Sequence, residues 1–175
     1  MAVLYSIIDM GTQEIEWAGE KKKSRRLRLT WEFPKKRYDF DGQSKPLVIS
    51  KDTAFSMFAK SSLRPIVEAM IGKSLTDKEA DDFDVSSICG MGCLAAVVHK
   101  KGTDGIVRAK LGGVQPLMDG MEAPKPENTP VIYSVEDGIT EEFSKLPEWL
   151  KEKLVKAPEF GTNDTQEKEG DEIPF

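Results

Sequence analysis

Apolar and polar residues alternate cleanly over residues 26–33. Leu27, Leu29, Trp31 and Phe33 fall on one face, and Arg26, Arg28, Thr30 and Glu32 on the other. That period of two belongs to a half-buried strand, and it assigns Trp31 to the core. Residues 3–10 form an apolar, β-rich run ended by Gly11-Thr12, and residues 14–17 again alternate apolar and acidic. Residues 18–25 read as a turn, Pro34 ends the second strand, and residues 35–42 read as a loop before a third strand at 46–50. The period then changes. A helix is predicted from Ser61 or Ser62, with Pro65 in its first turn, to Ile71, and Gly72 is placed to end it. Thr76 with Glu79 is a capping-box pair opening a shorter helix. Residues 53–60 fit a strand or a helix equally.

Strands return at residues 93–100 and 106–114, joined by Lys101-Gly102-Thr103-Asp104-Gly105 as a hairpin. Gly112-Gly113 permits a bulge, and no phosphate loop, because no Lys-Ser/Thr follows. A connector over 116–130 leads to a helical stretch at 141–156 that Pro147 divides. There Trp149 is expected to anchor the helix on the body. From Gly161 onward the composition is too polar to bury a core, and a flexible tail is expected.

Length changes this picture little: 175 residues suit one domain with a tail. No apolar run reaches the roughly 18–20 residues of a membrane span, and residues 1–11 lack the basic start and cleavage site of a signal peptide. Cys89, Cys93 and His99 are too few for a convincing zinc site or disulfide framework. No cofactor is implied. Asp81, Asp82 and Asp84 read as solvated carboxylates.

Charge changes it more. Residues 20–60 hold twelve Lys/Arg against five acids, a local +7 in a chain of net charge −5. Residues 160–175 hold five acids and one Lys. A basic front, a near-neutral body and an acidic tail divide the chain electrostatically. The basic stretch also carries rings. Cations that neutralise phosphates, interleaved with rings that stack on any base, suit a single nucleic-acid strand. The candidates are Lys21, Lys22, Lys23, Arg25, Arg26, Arg28, Lys35, Lys36 and Arg37 for phosphates, with Trp17, Tyr38 and Phe40 for bases. Arg108 and Lys110 share one face of the last strand and would form an adjoining wall.

Three strands, helices, then two strands is the element order of the five-stranded OB-fold barrel, whose nucleic-acid face uses the second and third strands and nearby loops. The expected class is therefore mainly β with α: an OB-fold-like barrel over 1–159 with inserted helices and a C-terminal helix, and a disordered acidic tail over 160–175.

Three stretches, DMGTQEIEWAGEKKKSRRLRLTWEFP at 9–34, LPEWLKEKL at 146–154 and the tail, resemble the single-stranded-DNA-binding proteins of tailed bacteriophages. The tip Asp171-Glu172-Ile173-Pro174-Phe175 is similar to the end of bacterial single-stranded-DNA-binding proteins, with fewer consecutive acids. The resemblance implies sequence-tolerant binding of single-stranded DNA in phage replication or recombination, in the cytoplasm of a bacterial host. It also implies a tail that recruits phage or host replication proteins; the tail's carboxylates imitate phosphates, so it is expected to compete with DNA for the groove. A strand-annealing mediator, which needs an oligomeric surface, and an RNA-binding OB module are the alternatives. A nuclease holding Mg²⁺ on Asp9, Glu14 and Glu16 lacks a converging third ligand, so a non-enzymatic binder is expected.

Overall fold

The computed structural model describes residues 1–17 and 19–163, with Trp17 described by its backbone alone. Its elements are β1 (Ala2–Trp17), β2 (Glu20–Phe40), β3 (Gln43–Ala54), α1 (Leu63–Ile71), α2 (Asp77–Asp81), β4 (Gly92–Lys101), β5 (Val107–Gln115), β6 (Val131–Tyr133), α3 (Glu141–Lys145) and α4 (Glu148–Leu154). Single 3₁₀ turns lie at Val85–Ile88 and Val135–Asp137. The fold is mainly β. Six strands form one open sheet along the path β3-β2-β1-β4-β5, antiparallel throughout, and the short β6 joins β1 in parallel. The two ends of the path, β3 and β5, approach within 8 Å without a hydrogen-bonded ladder between them.

The alternation of β2 behaves as its sequence requires. Leu27, Leu29, Trp31 and Phe33 are all buried in the main core with Leu4, Ile7, Ile49, Leu63, Val67 and Ile88. The opposite face of the sheet is not simply solvated. Ile8 and Met10 point outward from β1 into a second core built by Tyr133, Val135, Phe143, Leu146, Leu150 and Leu154. β1 therefore carries apolar side chains on both faces, which explains why residues 3–10 read as an unbroken apolar run rather than an alternation.

Two irregularities in β1 set which side chain goes where. The register slips between Leu4 and Ser6, so Tyr5 is the extra residue of a bulge. It slips again between Asp9 and Thr12, where Gly11 takes φ +65°. A Cβ at Gly11 would lie 2.7 Å from Ala157 Cβ and 2.8 Å from a Glu159 oxygen, so the C-terminal segment packs directly on bare backbone.

Several predicted turns are strands instead. Glu20 and the Lys-rich run through Ser24 pair with residues 13–17, which extends the β1–β2 ladder into a two-stranded arm. Pro34 does not end β2. A register shift between Phe33 and Arg37 absorbs residues 34–36 as a bulge, and pairing resumes to Phe40 opposite Gln43. A bulge is one of the few places a sheet tolerates proline, whose missing N–H would break the ladder. Only Asp41-Gly42 turns the chain. The undecided residues 53–60 finish β3 at Ala54 and then run irregularly.

The helical readings survive. Ser62 is the N-cap of α1, Gly72 ends it in the left-handed region, and Thr76 with Glu79 forms a complete capping box. Pro147 separates α3 from α4 as the N-cap of the latter. Gly112 is the extra residue at a β4–β5 bulge, where a Cβ would meet Val98 Cγ1 at 2.8 Å. Residues 160–163, expected in the tail, are packed on the body. Phe160 packs on Phe143 at 5.5 Å, Gly161 N–H donates to Val135 O, and Asn163 Nδ2 donates to Asp137 at 2.9 Å. Among the described residues, no helix is long and apolar enough to cross a membrane.

Candidate nucleic-acid interface

The outward face of β2 and β3 carries three cross-strand pairs in sequence: Glu32 beside Val48, Thr30 beside Ser50, and Arg28 beside Asp52. Thr30 and Ser50 share a hydroxyl hydrogen bond of 3.0 Å, and Arg28 donates to Asp52 at 2.6 Å. The second core covers the neighbouring strip on β1 but stops short of this one. A concave surface remains between these strands and the α3–α4 junction. One half, about 570 Å³, is lined by Arg28, Thr30, Ser50, Lys145, Pro147 and Trp149, among others. The other half, about 340 Å³, is lined by Tyr38, Ser44, Lys45, Pro46 and Glu127. Tyr5, Val48 and Asn128 border both halves, so the two form one groove across the sheet.

Three rings line this groove, each delivered by a different element. Tyr5 is placed by the bulge in β1, Tyr38 by the β2–β3 hairpin, and Trp149 by the first turn of α4. Trp149 is 45% exposed, with the Arg28 guanidinium 4.8 Å and the Lys153 ammonium 5.6 Å from its ring centroid. Phe40 is 54% exposed near the hairpin tip and carries Lys45 at 5.0 Å. Burial raises the Tyr5 phenol above its ordinary value, and the nearby Glu32 carboxylate adds to the shift.

The groove floor is fixed by a buried charge. Glu32 is fully buried, and its carboxylate accepts from the backbone N–H groups of Glu127 (2.7 Å) and Asn128 (2.9 Å) and from Asn128 Nδ2 (2.6 Å). These three donors take the place of water around a charge that would otherwise be costly to bury. They tie the connector to the sheet, and an Arg37–Glu127 ion pair adds a second tie from the hairpin.

Of the residues singled out from sequence, Arg28 and Tyr38 line the groove. Lys35 and Lys36 are exposed in the bulge of β2, next to Arg37. Arg26 lies opposite Ala54, one pair beyond Arg28 on the same face. Lys21, Lys22 and Lys23 stand apart, on the β1–β2 arm. Their strand partners are Glu16, Ile15 and Glu14, and Lys21 binds Glu14 at 2.8 Å while Lys22 approaches Glu20 at 3.6 Å. The Lys21–Glu14 pairing holds the Glu14 carboxyl below, and the Lys21 ammonium above, their ordinary values. Arg25 is committed elsewhere: it binds Asp9 through a forked contact and Glu136 at 2.8 Å, at the base of the arm. Arg108 pairs with Asp104 at 2.7 Å, and with Lys110 it lies on the exposed end of the β4–β5 hairpin, away from the groove lining. Trp17 closes β1 opposite Glu20. The tip Asp171, Glu172, Ile173, Pro174 and Phe175 lies outside the described residues. Among the described residues, no cluster of His, Cys, Asp or Glu is arranged to hold a metal ion, and Asp9 and Glu14 are engaged in the ion pairs above.

Sequence reasoning overlooked Tyr5, Asn128 and Lys145 and assigned Trp149 to packing. A usable signal existed for one of them: Tyr5 is the only ring in the apolar run 3–10, and its polar tip suits a half-buried edge. Comparison of the chain with protein-family models, curated proteins and solved structures finds no match.

Proposed function

We propose that this chain is a sequence-tolerant single-stranded-DNA-binding protein that carries no reaction of its own. The observation that carries the reading is the groove across β2 and β3, where Tyr5, Tyr38 and Trp149 sit among Arg28, Lys45 and Lys145. Rings spaced along a concave, cation-bearing track are what a flexible unpaired strand needs, because every base has a stackable face while its phosphates need neutralising. A duplex, with its bases already stacked inside, offers those rings nothing. Lys35, Lys36 and Arg26 extend the track as phosphate contacts, and the Lys21–Lys23 arm adds a peripheral one.

The strand path supports reading β1–β5 as a partly open barrel of OB type, with β5 returning towards β3 and the groove on the face that fold uses for oligonucleotides. The resemblance to phage-encoded single-stranded-DNA-binding proteins points the same way. On that resemblance the activity would serve phage replication or recombination, with residues 171–175 as a contact for replication proteins.

The test is a fluorescence titration with single-stranded DNA, duplex DNA and RNA of equal length at two salt concentrations. The single DNA strand should quench tryptophan emission and bind most tightly, and added salt should weaken it. A Trp149→Phe variant should lose most of the quench. No binding of any single strand at low salt would refute the reading. Preference for RNA would reassign the substrate, and strand annealing by an oligomeric form would reassign the role.

A further inference from the structure

We infer that Arg37 is a backbone-phosphate subsite at the hairpin end of the groove, filled in the free chain by the protein's own Glu127 carboxylate. A single strand then enters by exchanging phosphate for carboxylate. This rests on reading the groove as a single-strand site.

The guanidinium is held in a fixed plane. Its Nε donates to Ser44 Oγ at 3.0 Å and its Nη2 to the Ser44 carbonyl at 2.7 Å. Its Nη1 faces Glu127 Oε1, with the Pro34 carbonyl at 3.5 Å. Ser44 and Glu127 both line the smaller half of the groove, beside Tyr38 and Lys45. Among the described residues, Glu127 is the one carboxylate in that lining. A guanidinium fork fits phosphate and carboxylate alike, because both present paired oxygens that carry negative charge. The place Glu127 takes is one a phosphate oxygen can take, next to an exposed ring for the base.

The exchange costs little. The Arg37 and Glu127 side chains are 37% and 50% exposed, and an ion pair so open to water contributes little to stability. The connector does not depend on it either. The Glu127 backbone N–H stays bound to the buried Glu32 at 2.7 Å whichever way the Glu127 side chain turns. Arg25 is the contrast: its partner Asp9 is buried, so a phosphate in its place would leave that carboxylate buried without its cation.

The experiment titrates the full chain with oligo(dT), followed by tryptophan quench, over a range of salt concentrations. Glu127→Gln removes the competing charge and keeps the backbone anchor. It is expected to bind about two- to fivefold tighter at low salt, the equivalent of one exposed ion pair. Adding Arg37→Ala to that variant should flatten the log–log salt slope by about 0.7, the share of one phosphate contact. Melting curves check that both variants fold, and Glu127→Gln alone decides should the second one unfold. Affinity unchanged or weakened by Glu127→Gln would overturn the proposal, as would equal slopes with and without Arg37. Both results leave single-strand binding by the rest of the groove intact. A native chain that binds no oligo(dT) at any salt concentration would remove the single-strand reading as well.

Discussion

The Arg28 guanidinium lies 4.8 Å from the centroid of the Trp149 ring and donates to Asp52 at 2.6 Å. This pair joins the middle of β2 to the first turn of α4 and forms one wall of the groove. The ring has an exposed surface that its own fold does not use, and the cation beside it is already oriented. A base that stacks on Trp149 would bring its phosphate into reach of Arg28.

Trp149→Ala should weaken single-strand binding by about 1–3 kcal/mol, the usual worth of one base–aromatic stack. Because the side chain is half-exposed, the thermal midpoint should move little. A titration alongside a melting curve checks both. Unchanged affinity would remove α4 from the site.

Phosphate contacts can be counted from salt dependence, at about 0.7 in log–log slope per contact to a single strand. Lys35→Ala with Lys36→Ala should flatten the slope by about 1.4. Replacing Lys21, Lys22 and Lys23 together removes three charges, but two of them are paired with Glu14 and Glu20. The triple variant should therefore flatten the slope by less than the roughly two units that free lysines would give. A larger effect from the arm than from the bulge would place the DNA along the arm.

Acid should loosen the α1–α2 region before the sheet. The Leu75 amide and the Arg64 guanidinium hold Glu68 below the ordinary carboxylate value. Lys73, with the Thr76 amide and hydroxyl, holds Glu79 down to about 2. Both folded-state values are depressed, so their contribution is fully present above the unfolded carboxylate pKa of about 4.3 and is lost as pH falls below it, towards about 2 for Glu79. Glu68→Ala and Glu79→Ala should lower the melting temperature at pH 6 and make little difference near pH 2. Melting curves across that range check the sign.

Gly11→Ala should destabilise the chain by about 2–4 kcal/mol, combining left-handed backbone with overpacking. The added Cβ falls 2.7 Å from Ala157 and 2.8 Å from Glu159, whose carboxylate binds the Thr12 amide and hydroxyl at 2.9 and 2.5 Å. Denaturant unfolding measures the loss, and proteolysis of residues 157–163 should accelerate with it.

Local patterns in this chain were legible because their causes are local. The alternation at 26–33 buries Leu27, Leu29, Trp31 and Phe33 as read, and Gly72, Pro147 and the Thr76–Glu79 box bound their helices where the residue chemistry requires. The turns at 18–25 and 35–42 were misread because charge and proline are turn-like only in the absence of a partner strand. Here β1 and β3 supply one. Trp149, expected to anchor α4 on the body, is 45% exposed with Arg28 beside its ring, because helical spacing identifies an apolar stripe without saying how far the sheet beneath it extends.

The sequence by itself determined the order of β1 to β5 and of the helices, the inward row of β2, and a chain polarised from basic to acidic, while β6 was missed. Those follow from side-chain periodicity and from counting. Tertiary structure alone decided which charges are available: it set Glu14 and Glu16 across from the lysine run and bound Arg25 to Asp9 and Glu136. It also brought Tyr5, Tyr38 and Trp149 to one groove and fixed the Asn128 amide on a buried Glu32. Charges and rings act through space, and distances between residues far apart in sequence are set by strand pairing and bulges, which no local pattern records.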